Sequence, residues 1–189
     1  SGALPYVVQF LFFSSANVRS TAQTAVESLL SQVSPYDLLQ AIDLSWDEWQ
    51  YYWGQWRELS PNEVLGLATN DQNALQPAVL GLLSFHRNGF VRHEAVRLLA
   101  TIEDGTEFPF LLIRQNDWVA PIAVDAKAAI ENRITDAYLP HLVKSLRLIL
   151  HLKKFSRQDH STIVGKTVAL LLKDENDEIL RATVDSPVR

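Results

Sequence analysis

Neither cysteine nor methionine occurs anywhere in the chain. The first absence removes disulfides, thiolate zinc ligands and a thiol nucleophile together, and leaves the compartment open, because a helical core needs no staple. The second places the start of the numbering after any initiator. Ser1-Gly2 reads as a processed or appended end, and the chain as a whole domain or a piece of a longer protein. Bases are nearly missing from the first 80 residues: Arg19 and Arg57 stand against Glu27, Asp37, Asp43, Asp47, Glu48, Glu58, Glu63 and Asp71, a balance of −6, while the remainder is +1. The total of −5 speaks against a non-specific nucleic-acid binder and suggests two differently charged surfaces.

Long apolar runs are scarce too. The longest, Leu4–Phe13, is too short for a bilayer and has no basic residue before it. It reads as a buried first helix rather than a signal-peptide core, so no membrane span and a cytoplasmic location are expected. Chemistry-bearing motifs are also missing. His86, His93, His141, His151 and His160 form no i, i+4 pair, and there is no His-Glu-x-x-His element, nucleophile elbow or dinucleotide fingerprint. Val164-Gly165-Lys166-Thr167 ends like a phosphate loop but lacks the earlier glycine and a preceding strand. The expectation is a chain with no metal, no cofactor and no catalytic residues.

What the chain does have is helix punctuation. Ser34-Pro35-Tyr36-Asp37 and Ser60-Pro61-Asn62-Glu63 each supply a capping hydroxyl, a proline where the helix has no N–H to satisfy, and an acid for the positive helix end. Ser45-Trp46-Asp47-Glu48 has the form of a capping box. Asn88-Gly89, Thr106-Glu107, Asn116-Asp117, Asp136 and Asp159 mark further starts, and Asp104-Gly105 a stop. No segment alternates with period two between hairpin turns. These signals predict an all-α chain with helices near 4–14, 17–32, 35–43, 46–58, 61–69, 73–86, 89–103, 107–115, 117–133, 136–155, 159–173 and 176–185. With 189 residues, 47% of them hydrophobic, the chain can bury one sizeable core and reads as a single domain, 1–189.

Three segments superpose without gaps: Val18-Arg19-x-x-Ala22-x-x-Ala25-Val26-x-x-Leu29, Val91-Arg92-x-x-Ala95-x-x-Leu98-Leu99-x-x-Ile102 and Val119-Ala120-x-x-Ala123-x-x-Ala126-x-x-x-Ile130. Their shared apolar offsets fall on one helical stripe, and the small residue four positions in lets a paired helix approach. Such a stripe is fully covered only by the next unit, which is why these units come in arrays. The pattern resembles the second helix of a HEAT repeat, and the stretch from Asn88 to Ile130 resembles two consecutive bacterial HEAT-like repeats. The match extends more loosely to 4–32, is poor over 34–69 and fades after Ile134. The resemblance implies an α–α superhelix of about five to six antiparallel helix pairs, a curved surface for partners and no catalytic residues. Arg19 and Arg92 are expected to make hydrogen bonds between repeats.

Two segments depart from the repeat. In the first, Trp46, Trp49, Trp53 and Trp56 recur at helical spacing with Tyr51 and Tyr52 beside them. They read as core in the register the other units bury, or as an aromatic platform, with Tyr51 the likelier contact because it lies off the stripe. In the second, Lys144, Arg147, Lys153, Lys154 and Arg157, accompanied by His141 and His151, run from Ala137 to Gln158 without an acid. This basic side suits an acidic protein face or a phosphate backbone, unless Asp174, Glu175, Asp177 and Glu178 neutralise it in the fold. The expected binding residues are therefore Lys144, Arg147, His151, Lys153, Lys154, Arg157, Tyr51 and Tyr52. The leading functional expectation is a non-catalytic protein-interaction scaffold with a protein partner. Its rival is nucleic-acid binding of the kind seen in a HEAT-like family of alkylated-base DNA glycosylases, for which Trp46/Asp47 and Asp117/Trp118 are the only stand-ins. Related repeats that act as lyases on bilins are a more distant parallel.

Overall fold

The computed structural model describes residues 3–38, 58–69, 77–155, 157, 159–178 and 181, and every regular element among them is helical. The expected helix 46–58, with its four tryptophans, Tyr51 and Tyr52, lies almost entirely outside the described residues. The same holds for most of 176–185 and the second half of 35–43. The described residues contain no helix long and apolar enough to cross a membrane. They pack as two compact units, Ser1–Ile102 and Glu103–Arg189.

In the first unit, α1 (Leu4–Val8) runs on as a 3₁₀ turn (Gln9–Phe12) and packs on α2 (Ala16–Ser31). A further helix begins at Pro35. Then come α3 (Pro61–Thr69), α4 (Pro77–Leu83) and α5 (Gly89–Ala100). Helix α4 packs against both α2 and α5, and α3 packs against α5. The punctuation works as its chemistry dictates. Ser60 Oγ accepts from the Glu63 backbone N–H at 3.3 Å while Glu63 Oε2 accepts from the Ser60 N–H at 2.8 Å, a reciprocal capping box behind Pro61. Ser34 Oγ likewise accepts from the Asp37 N–H at 3.1 Å.

In the second unit, α6 (Phe108–Arg114) and α7 (Ala120–Glu131) pack together. They are followed by a 3₁₀ turn (Asp136–Tyr138), α8 (Leu139–Lys144), α9 (Leu146–His151), a second 3₁₀ turn (Leu152–Lys154) and α10 (Ser161–Leu171). Helix α9 packs against α6, and α10 against the turn at Leu152–Lys154. Ala22, Ala95 and Ala123, the small residues of the repeated pattern, are all buried.

Three expectations are corrected. The helix expected over 136–155 is two short helices broken at Ser145, a buried residue with φ −96° and ψ 3°. Its apolar residues spread too widely around a cylinder for one stripe. The break lets the halves bury different sets, Leu139 and Leu142 before it and Leu148, Ile149 and Leu152 after it. Serine, a residue that favours turns, sits at the joint. Next, the helix expected from 117 begins at Ala120, because the Asp117 side chain accepts from the Val119 N–H at 2.9 Å and holds the turn outside the helix. Asn88, Asp104 and Asp159 make the same bond to the residue two positions on. Last, the guanidinium hydrogen bonds of Arg19 lie within a hairpin rather than between repeats, and Arg92 makes bonds of the same kind. Arg19 Nη1 donates to the carbonyls of Phe13 and Ser14, both at 2.8 Å, and Arg92 Nη1 to those of His86 and Arg87 at 2.8 and 3.0 Å. Each arginine reaches back six and five residues to carbonyls of the loop that precedes its own helix.

Candidate binding surfaces

The expected basic residues lie on the second unit. Lys144 ends α8, Arg147 lies in the first turn of α9, and Lys153, Lys154 and Arg157 follow on the turn and loop beyond; all five are exposed. His151 is half-buried, its ring 5.6 Å from that of Phe155 at 88°. Phe155 in turn stands 6.2 Å from His160, which is buried and whose Nε2 lies 3.4 Å from Asn116 Oδ1. These ring contacts anchor the loop from which Lys153, Lys154 and Arg157 project. Burial, and then the nearby Lys127 ammonium, push the His160 pKa below the ordinary histidine value.

The acids expected to neutralise this surface are in part engaged elsewhere. Glu175 pairs with Lys173 at 3.4 Å and Asp177 with Arg181 at 2.9 Å. The two acids that bound the acid-free run are occupied as well. Asp136 accepts from Asn176 and Lys173, and Asp159 caps α10 through Ser161. Both have carboxyl pKa values held below the ordinary range, Asp136 first by the Asn176 hydrogen bond and Asp159 first by the Ser161 N–H. Among the described residues, no ion pair engages Lys144, Lys153, Lys154 or Arg157. Leu150, 45% exposed, adds an apolar contact to the same segment.

Sequence reasoning placed Glu107 at a helix start and missed its role. Its carboxylate is fully buried and gathers three donors: Arg133 Nε at 2.7 Å, Tyr138 Oη at 2.9 Å and the Gly105 N–H at 2.8 Å. Arg133 also donates to the Ala129 carbonyl at 2.8 Å and lies 5.8 Å from the Tyr138 ring centre. Burial, and then the hydrogen bond to the Glu107 carboxylate, push the Tyr138 phenol up to about 12. The network ties the turn before α6 to the segment after α7. No local pattern in the sequence marks it, since Glu107 and Arg133 each stand among other polar residues.

In the first unit a cavity of about 590 Å³ opens among the 3₁₀ turn, α2 and the start of α3. Among the described residues its walls include Phe12, Phe13 and Leu59 and the charged groups Arg19, Glu58 and Glu63. The apolar run Leu4–Phe13 and the acidity of the first 80 residues were its sequence signals.

Among the described residues no group of three or more His, Asp or Glu side chains is arranged to hold a metal ion. Val164-Gly165-Lys166-Thr167 lies inside α10 rather than before a helix, and Thr167 is buried. Asp117 is buried, accepting from the Val119 N–H and paired with Arg114 at 3.1 Å, while Trp118 beside it is 72% exposed. Comparison with family models, with curated proteins and with solved structures gives no match.

Proposed function

We propose that the chain is a HEAT-like, non-catalytic interaction scaffold whose second unit docks an acidic protein segment. The observation that carries this reading is the exposure of Lys144, Lys153, Lys154 and Arg157 with no ion pair to a described residue. An acidic partner would supply the missing charge, steering encounter and fixing register. The exposed Leu150 on the same segment gives such a partner an apolar anchor, and the chain's net charge of −5 works against a nucleic-acid duplex.

The second reading, nucleic-acid binding at the same surface, is favoured by the run of five cations without an intervening acid. The exposed Trp118 ring would then be a stacking group. Asp117, its neighbour, is committed to its cap and to Arg114, which argues against a role for it in base chemistry.

One titration separates the two. A fluorescein-labelled glutamate-rich peptide, a DNA duplex and a single-stranded RNA are each titrated with the chain at 50 and 200 mM salt. The expected result is peptide binding that weakens with salt, drops about tenfold in Lys153→Gln/Lys154→Gln, and exceeds binding of either nucleic acid. Tighter nucleic-acid binding with a steep salt slope would instead establish the second reading. Peptide binding indifferent to the double substitution would remove this surface from consideration.

A further inference from the structure

The first unit carries a surface of the opposite character. Tyr6, Phe10 and Phe13 follow one another at helical spacing along α1 and its 3₁₀ extension, and are 54%, 42% and 49% exposed. Three large aromatics on one face exceed the scattered apolar exposure that an ordinary surface carries. The Phe10 and Phe13 rings stand 6.2 Å apart and tilted by 59°. The stripe leads directly into the cavity, since Phe13 belongs to both.

Among the described residues that line the cavity, acids outnumber bases two to one. Arg19 contributes one positive charge, held in place by the hydrogen bonds from its Nη1 to the carbonyls of Phe13 and Ser14. Glu58 is exposed and makes no ion pair among the described residues, and Glu63 is exposed at the start of α3. The Ser60 hydroxyl and then the Ser60 N–H hold the Glu63 carboxyl below its ordinary pKa, so it stays charged at neutral pH. The setting agrees: Arg19 and Arg57 are the only bases in residues 1–80, against eight acids. An apolar stripe ending in a pocket whose described charged groups are net negative is complementary to a helix with an apolar face and a lysine or arginine beside it. The long aliphatic stem of such a residue can lie on Phe12 and Phe13 while its charge reaches the carboxylates.

We propose that the stripe of Tyr6, Phe10 and Phe13, together with the cavity holding Glu58 and Glu63, is a docking groove for a cationic amphipathic helix of a partner protein. This deepens the reading of the chain as an interaction module and rests on it. The scaffold then has two faces of opposite preference, one in each unit.

The test uses the full chain and two synthetic 18-residue helical peptides with leucines at identical i, i+3, i+4 positions, their polar positions all lysine in one and all glutamate in the other. Binding is read by fluorescence anisotropy, with circular dichroism on every variant. The expected result is that the lysine peptide binds and loses at least about fivefold in affinity in Phe10→Ser and in Glu58→Lys, while Lys153→Gln/Lys154→Gln leaves it unchanged. Glu58→Lys alters an exposed side chain and carries the test if Phe10→Ser fails to fold. No binding of the lysine peptide overturns the proposal, as does binding indifferent to Glu58→Lys, or glutamate-peptide binding that depends on Phe10. The two readings fail separately. A chain that binds only the glutamate peptide, through Lys153 and Lys154, overturns the groove and keeps the acidic-partner surface. A chain that binds neither peptide ends both.

Discussion

At the residue scale, the strongest determinant is the Glu107 carboxylate, buried with Arg133, Tyr138 and the Gly105 N–H around it. A buried ion pair is weak evidence of net stability, yet removing one partner leaves an uncompensated charge in low dielectric. Glu107→Ala is therefore expected to cost about 3 to 5 kcal/mol, read as a lowered urea midpoint with unchanged slope. Replacing both partners, as in Glu107→Leu/Arg133→Met, should cost less than the sum of the single changes, because no charge is left stranded. Additivity of the two would contradict direct coupling. The residue-level reading of the sequence saw Glu107 only as an acid near a helix start. What makes it matter is the return of the chain 26 residues later at Arg133, which no local pattern encodes.

At the scale of elements, caps and turns were the most legible features. The capping box at Ser60/Glu63 and the Pro starts at 35 and 61 follow from which side chains can satisfy orphan backbone groups, a local matter. The break in the helix over 136–155 was harder to read, because a single serine within an apolar, basic run does not by itself end a helix. The break answers to the separate burial of Leu142 and Ile149. Gly105 illustrates both kinds of cause. Asp-Gly signalled a left-handed residue, and Gly105 has φ +88°. It does not end α5, however, which stops at Ala100. It lies in the approach to α6, where an added Cβ would run into the His141 ring. Gly105→Ala is accordingly expected to destabilise by about 2 kcal/mol or more, from strain and the clash combined. Gly165→Ala, in the middle of α10 with open space at its Cβ, should stabilise by about 0.5 to 1 kcal/mol. Thermal melts of the two variants give opposite shifts if this account holds.

At the scale of the whole molecule, charge decides the dependence on pH. Glu63, Asp136 and Asp159 have lowered carboxyl pKa values, so their contribution is complete above the ordinary carboxylate range and is lost as pH falls through the lowered values. His160, also lowered, contributes fully above its ordinary value and loses that contribution on acidification. Tyr138, pushed up to about 12, acts in the other direction: its contribution is present below an ordinary phenol's pKa and is lost as pH rises toward 12. Urea midpoints should thus be level between about pH 7 and 9 and lower at pH 3.5 and 11.5. Tyr138→Phe should flatten part of the alkaline fall while leaving the acid side as it was. An unaltered alkaline limb would show that the phenol does not titrate with unfolding. The charge asymmetry also underlies the two proposed surfaces, since the sequence alone separates an acidic first part from a region with a basic run.

The sequence by itself determined that the chain is helical, where many of its helices begin, and that its charges are segregated. Each of these depends on groups within a few residues of one another or on composition. The tertiary structure decided which charges are spent. It assigned Glu107 to Arg133 and Asp136 to Lys173, and left Lys144, Lys153, Lys154 and Arg157 without such pairing among the described residues. It also decided that the first apolar run is only partly buried, with Leu4, Val8 and Leu11 inside and Tyr6, Phe10 and Phe13 exposed. Hydrophobicity fixes how much a segment gains from burial, but which of its faces is covered depends on what packs against it. That is set by elements distant in the chain.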